Sequence, residues 1–365
     1  MMGELIFRNL VHRPLRTLIG AVAVGFEVML IVIIVGLTSG LLTETAKRIE
    51  GIGADIMVQP PASSIMFAFG GAPMPVKVAE KLKELRYVDS VTPVLTQFNT
   101  SGVEVVYGID QESFRAVSNG FVFLQGHDLE GPNDILLDDI AAKSKKLSAG
   151  DNYKVFDHDW HVAGIVEHGK GSRLFVPLST LQELVGAREK ATIFFVKLTR
   201  PEHTDEVMED IRHNLPGLTP RPLRDMLSLM TSTNLPGLQT FINAMIFLAV
   251  AIGLMVIFLT MYTTVIERTR DIGVLKSLGA DHEFIVRALL MESAALCLIG
   301  IATGIGLSYA VRAGFLWKFP TLTILITVGW ILKAGGIALL GALLGTTYPA
   351  WLASRKDAVE ALTYD

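Results

Sequence analysis

The chain has 365 residues, 50% hydrophobic and 19% charged, with a net charge of −4 and a mean hydropathy of +0.45. That is too apolar for an ordinary soluble chain and too charged for one lying wholly in lipid, so it implies membrane spans plus a water-exposed domain. The mild charge lacks the basic footprint of a nucleic-acid binder, and a single cysteine, Cys297, excludes an intrachain disulfide.

The first apolar run covers residues 18–42. It is too long for a signal-peptide core and lacks a small-x-small cleavage site, so it reads as a retained signal anchor. Three further runs, 240–266, 288–311 and 329–348, are each long enough to cross a hydrocarbon layer, which takes roughly 20 helical residues. Four transmembrane helices are therefore expected. Basic residues set their orientation. Arg8, Arg13 and Arg16 precede the first run, Arg268, Arg270, Lys276 and Arg287 fill the loop 267–287, and Arg355 and Lys356 follow the last. The loop 312–328 offers only Arg312 and Lys318, while Lys333 is placed to snorkel from the fourth run. Both termini and the loop 267–287 are thus expected in the cytoplasm, and residues 43–239 outside it.

The outer segment reads as α+β. Asp55–Gln59 alternates apolar and polar residues and Pro60-Pro61 ends it. Pro75–Leu85 has proline near its start and apolar residues at helical spacing. Val103–Ile109, Trp160–Val166 and Thr192–Leu198 read as strands, the second with a bulge at Gly164. Ile135–Ser144 begins apolar and then reads helical, and Arg221–Leu229 reads as an amphipathic helix leading to the second span. The expected fold class is membrane α-helical, with four spans and an inserted extracytoplasmic α+β domain of two subdomains.

Chemistry-bearing motifs are sparse. Gly164 to Lys170 matches the spacing of a phosphate loop, but Gly171 stands where a magnesium-binding hydroxyl is needed. His158, His161 and His168 lack strong metal-ligand spacing, so no metal is expected. Gly36/Gly40, Gly300/Gly304 and Gly341/Gly345 have the spacing that lets membrane helices approach closely. Met66–Gly71, bracketed by proline and glycine on both sides, reads as a mobile flap, with a packed loop as the alternative.

Glu27 lies near the middle of the first span, where a carboxylate is costly unless paired, protonated or facing a wet cavity. It is a candidate substrate-path residue, with Met29 as a speculative companion; an interhelical hydrogen bond is the plainer alternative.

The loop after the second span reads Glu267, Arg268, Thr269, Arg270, Asp271, Ile272, Gly273, Val274, Leu275, Lys276, Ser277, Leu278, Gly279, Ala280. Ile272, Leu275 and Leu278 are placed to share one face, with charges elsewhere and Gly279 as a stop. A short amphipathic helix there suits docking of another protein.

This segment closely resembles the coupling helix of MacB/FtsX-type ABC transporter permeases, a superfamily that also holds the lipoprotein-releasing Lol, DevC and heme-exporter permeases. Arg8–Thr17, Ile52–Asp55, Val88–Val94, Asp138–Ala142, Ala149–Asp151, Val162–Val166, Val176–Leu178, Tyr348–Trp351 and Val359–Leu362 are similar to further family segments, so the resemblance covers nearly the whole chain. It implies an N-terminal elbow helix at 1–17, a coupling segment at 267–287 and a cytoplasmic tail at 349–365. The residues taken for ATPase coupling are Glu267, Arg268, Arg270, Asp271, Ile272, Gly273, Leu275, Lys276, Leu278 and Gly279.

The resemblance further implies a location in the bacterial cytoplasmic membrane and a dimer with a second permease copy or a similar permease. It implies two cytoplasmic ABC ATPase subunits that carry ATP and magnesium, so that this chain has no cofactor and no catalytic residues. The implied work is export or extraction of a hydrophobic or amphipathic substrate, in contact with membrane lipid and possible periplasmic or outer-membrane partners. A second implied role is that of an FtsX-like signal transmitter acting on an outer partner such as a cell-wall hydrolase. Two departures stand out: Asp357-Ala358 replaces the usual Asp-Pro, and Glu27 occupies a span usually uncharged in the family.

Overall fold

The computed structural model describes residues 14–61, 73–99, 104–229, 237–267 and 269–355. The expected elbow up to residue 13, the Met66–Gly71 segment, Arg268 and the tail beyond residue 355 lie outside the described residues.

Among those described, four helices are long and apolar enough to cross a membrane. They are α1 (Pro14–Glu50), α8 (Leu238–Glu267), α10 (His282–Lys318) and α11 (Val328–Arg355). Three of them outrun the expected spans. α1 continues past residue 42 to Glu50, α10 reaches from His282 to Lys318 where 288–311 was expected, and α11 continues past residue 348 to Arg355, into the segment expected as tail. Their charged ends keep helical geometry, whereas hydropathy registers only the apolar centre.

The chain divides into two compact units. One holds residues 1–40, 236–318 and 324–365; the other holds 41–235 and 319–323.

In the helical unit, small residues set the packing of α1 against α10. A side chain at Gly300 would meet Val24 Cβ at 2.6 Å, and one at Gly304 would meet the Gly25 carbonyl oxygen at 2.6 Å. Gly345 packs on α8 less tightly, with the Leu254 carbonyl oxygen 3.0 Å from where its Cβ would stand. Gly341 is buried, but a side chain there would meet nothing within 4 Å, so no close helix approach rests on it. Gly36 packs on the approach to α11, accepting a backbone bond from Leu325 at 2.9 Å. A polar clasp joins α10 to α11. The Thr346 hydroxyl donates to Ser293 Oγ at 2.7 Å, and Ser293 donates to the Ala342 carbonyl at 3.2 Å.

The outer unit is built on one ten-stranded mixed sheet. Its strands are β1 (Ile56–Gln59), β3 (Val88–Asn99), β4 (Glu104–Ile109), β5 (Phe123–Gly126), β6 (Asp134–Asp138), β7 (Asn152–Val155), β8 (His158–Val166), β9 (Leu174–Pro177), β11 (Ile193–Leu198) and β12 (Thr219–Pro222). The order is β12-β1-β11-β3-β4-β9-β6-β8-β5, with β7 also on β8. A small second sheet pairs β2 (Met74–Pro75) with β10 (Lys190–Ala191). The β4/β9 and β6/β8 pairs are parallel and the rest antiparallel.

One sheet therefore runs through both expected subdomains, and the division shows only in the cores. On one face Met57, Phe195, Val94, Ile109, Phe175 and Leu136 form a continuous core, capped by α3 (Gln111–Ser118) and α7 (Leu223–Leu229). On the opposite face there are two cores. One packs α2 (Val78–Lys83) and α6 (Thr204–Asn214) on β1 and β11. The other packs α4 (Asp139–Lys145) and α5 (Leu178–Leu184) on β6, β8 and β9 around the fully buried Trp160.

The expected alternation in β1 does not translate into an exposed face. All four residues are buried, because β1 has neighbours on both edges and layers on both faces. Arg221 belongs to β12, not to the helix expected at 221–229, which begins at Leu223. β8 carries a bulge at Ala163–Gly164, where a side chain at Gly164 would meet the His127 carbonyl oxygen at 2.5 Å.

Candidate functional site

The segment after α8 forms α9 (Thr269–Ser277). It ends in a paired capping pattern. Ala280 N–H bonds the Leu275 carbonyl and Gly279 N–H the Lys276 carbonyl, both at 2.9 Å, with Gly279 at φ +93°. This is the left-handed stop that glycine permits.

The faces of α9 differ from the expected ones. Ile272 turns inward to pack with Val265, Ile285, Leu289, Ala350 and Ala353. Gly273 is also buried. Lys276 Nζ donates to the Ser354 carbonyl at 2.6 Å, tying α9 to α11. Arg270, Val274, Leu275 and Leu278 face outward, with Leu278 80% exposed. At about 100° per residue, positions 270, 274 and 278 advance by only ~40° a step and form one ridge, while 272 lies across the helix. Glu267 is exposed at the end of α8. The docking candidates thus separate into an exposed ridge and an anchoring face. Asp271 lies on α9, and Gly279 supplies the stop.

Glu27 is 5% exposed and makes no hydrogen bond or ion pair with any described residue. Its carboxyl lies against Gly253 of α8, where any side chain would occupy the same space. Together these helices border a cavity of about 540 Å³ whose other walls are apolar, among them Val22, Phe26, Leu30, Ile252 and Val256. Met29 does not line it; two residues along a helix is ~200° around it.

The sequence reading missed a buried ionic cluster in the outer unit. Arg173, just before β9, reaches Glu44 of α1 and Asp138 of β6, both at 3.5 Å, and donates to the Thr321 carbonyl at 3.4 Å. Asp138 also caps α4, accepting from Ala141 N–H at 2.6 Å. Burial pushes its carboxyl up to about 6, against the opposing pull of Arg173 and the capping bond. Tyr107 of β4 is likewise pushed up to about 12 by burial. Glu292, 3% exposed within α10, was also missed, although a carboxylate inside an apolar run is the same signal that singles out Glu27.

The histidines do not converge. His158 bonds Asn133 Oδ1 and His168 bonds Asp139 Oδ1, each at 2.9 Å. Lys170 donates to the Ser118 carbonyl at 2.5 Å, and the segment leads into β9 rather than a helix, so it has no phosphate-loop geometry.

Four apolar helices around a mixed α/β insertion, with a capped amphipathic helix between α8 and α10, define a polytopic permease-like class. Residues 17–214 match the MacB-like periplasmic core domain, and residues 243–358 match the FtsX-like permease C-terminal family. The chain belongs to the MacB-like family of FtsX-type permeases, and its inserted domain is extracytoplasmic. It is similar to the macrolide export ATP-binding/permease protein MacB of a Shewanella species, 25% identical over 386 residues, covering 96% of this chain and 58% of that protein. MacB of Hahella chejuensis is 26% identical over 388 residues with the same coverage. An uncharacterized ABC transporter permease of Bacillus subtilis, YknZ, is 34% identical over 133 residues, covering 35% of this chain and 32% of that protein. The chain thus spans 58% of the length of the MacB relatives it matches. A crystal structure of the periplasmic region of MacB from Actinobacillus actinomycetemcomitans aligns over 52% of this chain and 97% of that one, with 18% identity and a TM-score of 0.40.

Proposed function

We propose that this chain is the membrane subunit of an ABC transporter, working with ATPase subunits on a separate chain to export or extract a hydrophobic or amphipathic substrate. Both termini and α9 face the cytoplasm, and the chain works as a dimer. The observation that carries the reading is the α9 ridge. Val274 and Leu278 are apolar, exposed and adjacent, on a helix whose other face is anchored by Ile272 and Lys276. A helix held on one side transmits a push delivered to the other. α1 and α8 flank the inserted domain in sequence, so displacement at α9 has a short covalent route outward.

The relatives named for macrolide export carry an ATP-binding part in the same protein, which supports the pairing with an ATPase. The test is co-purification of the full chain with its ABC ATPase, followed by ATP hydrolysis. Leu278→Asp and Val274→Asp together are expected to reduce association at least tenfold without lowering the melting temperature of the permease. Unchanged association would remove α9 as the docking element.

A further inference from the structure

We infer that the groove between α1 and α8 is a binding site for a membrane-dissolved lipophilic amine, whose protonated nitrogen pairs with the carboxylate of Glu27. Glu27 is buried and without a partner among the described residues, and it borders a cavity whose remaining walls are apolar. Such a group in hydrocarbon calls for a cation or a hydrogen-bond donor. The protein supplies no cation from either wall. Neither α8 nor α1 between Thr17 and Ala46 contains lysine, arginine or histidine.

The geometry suits an external ligand. Gly253 makes room for the carboxyl against α8, since any Cβ there would fall on it. Val22, Phe26 and Ile252 at the rim are about half exposed, at 49%, 53% and 55%, so the groove opens sideways. Its 540 Å³ lies in the range of small-molecule pockets. Neutral amine with carboxylic acid, or ammonium with carboxylate, gives a pair of zero net charge, which hydrocarbon tolerates.

Depth selects the source of the amine. Glu27 is ~15 Å along α1 from Thr17, about half the hydrocarbon thickness. A phospholipid ammonium is tied to its phosphate at the interface and does not reach that depth.

This inference names a substrate class for the proposed export, but its test needs no ATPase, so the two fail separately. The full-length chain in phosphatidylcholine nanodiscs would be titrated with N,N-dimethyldodecylamine and with 1-dodecanol. The amine is expected to bind at least tenfold more tightly than the alcohol. Glu27→Gln should abolish that preference and Glu27→Asp should retain part of it. Val22→Trp, which fills the rim without touching the carboxyl, should weaken both ligands. Equal binding of amine and alcohol, or a preference that survives Glu27→Gln, would overturn the proposal. So would competition by phosphatidylethanolamine at equal strength, which would assign the site to a lipid headgroup. Efficient disulfide crosslinking between copies through Val22→Cys in a Cys297→Ala background, unaffected by the amine, would assign it to a second copy.

Discussion

Asp138 holds the first turn of α4 and faces Arg173 while 1% exposed. Its carboxyl titrates at about 6 rather than the ordinary 3.8, because burial outweighs both favourable contacts. A carboxyl raised on folding contributes stability that is fully present below the unfolded value and is lost as pH rises through the folded one. Unfolding of the full chain is therefore expected to show a component of about 3 kcal/mol that disappears between pH 4 and 6. Asp138→Asn keeps the cap and should remove that component. Overlapping denaturation profiles for the two proteins would mean that water or a rearranged Arg173 relieves the buried charge. At this scale the sequence was legible where a residue offends its surroundings, as Glu27 does in an apolar run. It was silent where function depends on what is brought alongside. Gly253 looks like any membrane glycine, and Arg173 sits in a polar loop whose partners are far away in sequence.

The period of α9 was legible and its burial was not. Three apolar positions at helical spacing fit more than one face, and only the packing of Ile285, Leu289 and Ala350 decides that Ile272 goes inward. Ile272→Asp is expected to cost several kcal/mol and lower the melting temperature, because it buries an unpaired charge. Leu278→Asp should be neutral in the same assay. Gly279→Ala at φ +93° should cost about 1 kcal/mol, read as faster amide exchange at Leu278–Ala280. On the bundle side, Gly304→Val forces α1 away from α10 and is expected to cost 1–3 kcal/mol by overpacking, measured as a fall in thermal midpoint. Proline hid another element. Pro93 lies inside β3, which argues against a long strand. It falls beyond the β4 ladder, which starts at Val94, so the missing N–H leaves no β4 bond unmade.

At the scale of the molecule, spans and insertion were legible because lipid imposes length and composition on whatever crosses it. The single sheet was not, since its order joins segments more than a hundred residues apart, such as β1 with β11 and β12. Arg173 links α1, β6 and the segment 319–323 within the outer unit. Arg173→Ala should speed amide exchange in the last turns of α1 and, on the proposed function, lower the export obtained per ATP while ATPase association stays as before. Unaltered exchange there would deny the cluster any part in holding the end of α1. The entry and exit of the outer unit are themselves paired: β1 follows α1, β12 precedes α7 and α8, and Ile56 stands opposite Pro222. Force applied to both ends in common is carried by the sheet as a body. Force that draws the ends apart peels this pair one hydrogen bond at a time, beginning at Ile56, and meets far less resistance than shear along the strands. The outer unit is thus stiff to concerted movement of its two tethers and compliant to opposed movement, so the direction of a stroke, more than its strength, determines whether the sheet moves or opens.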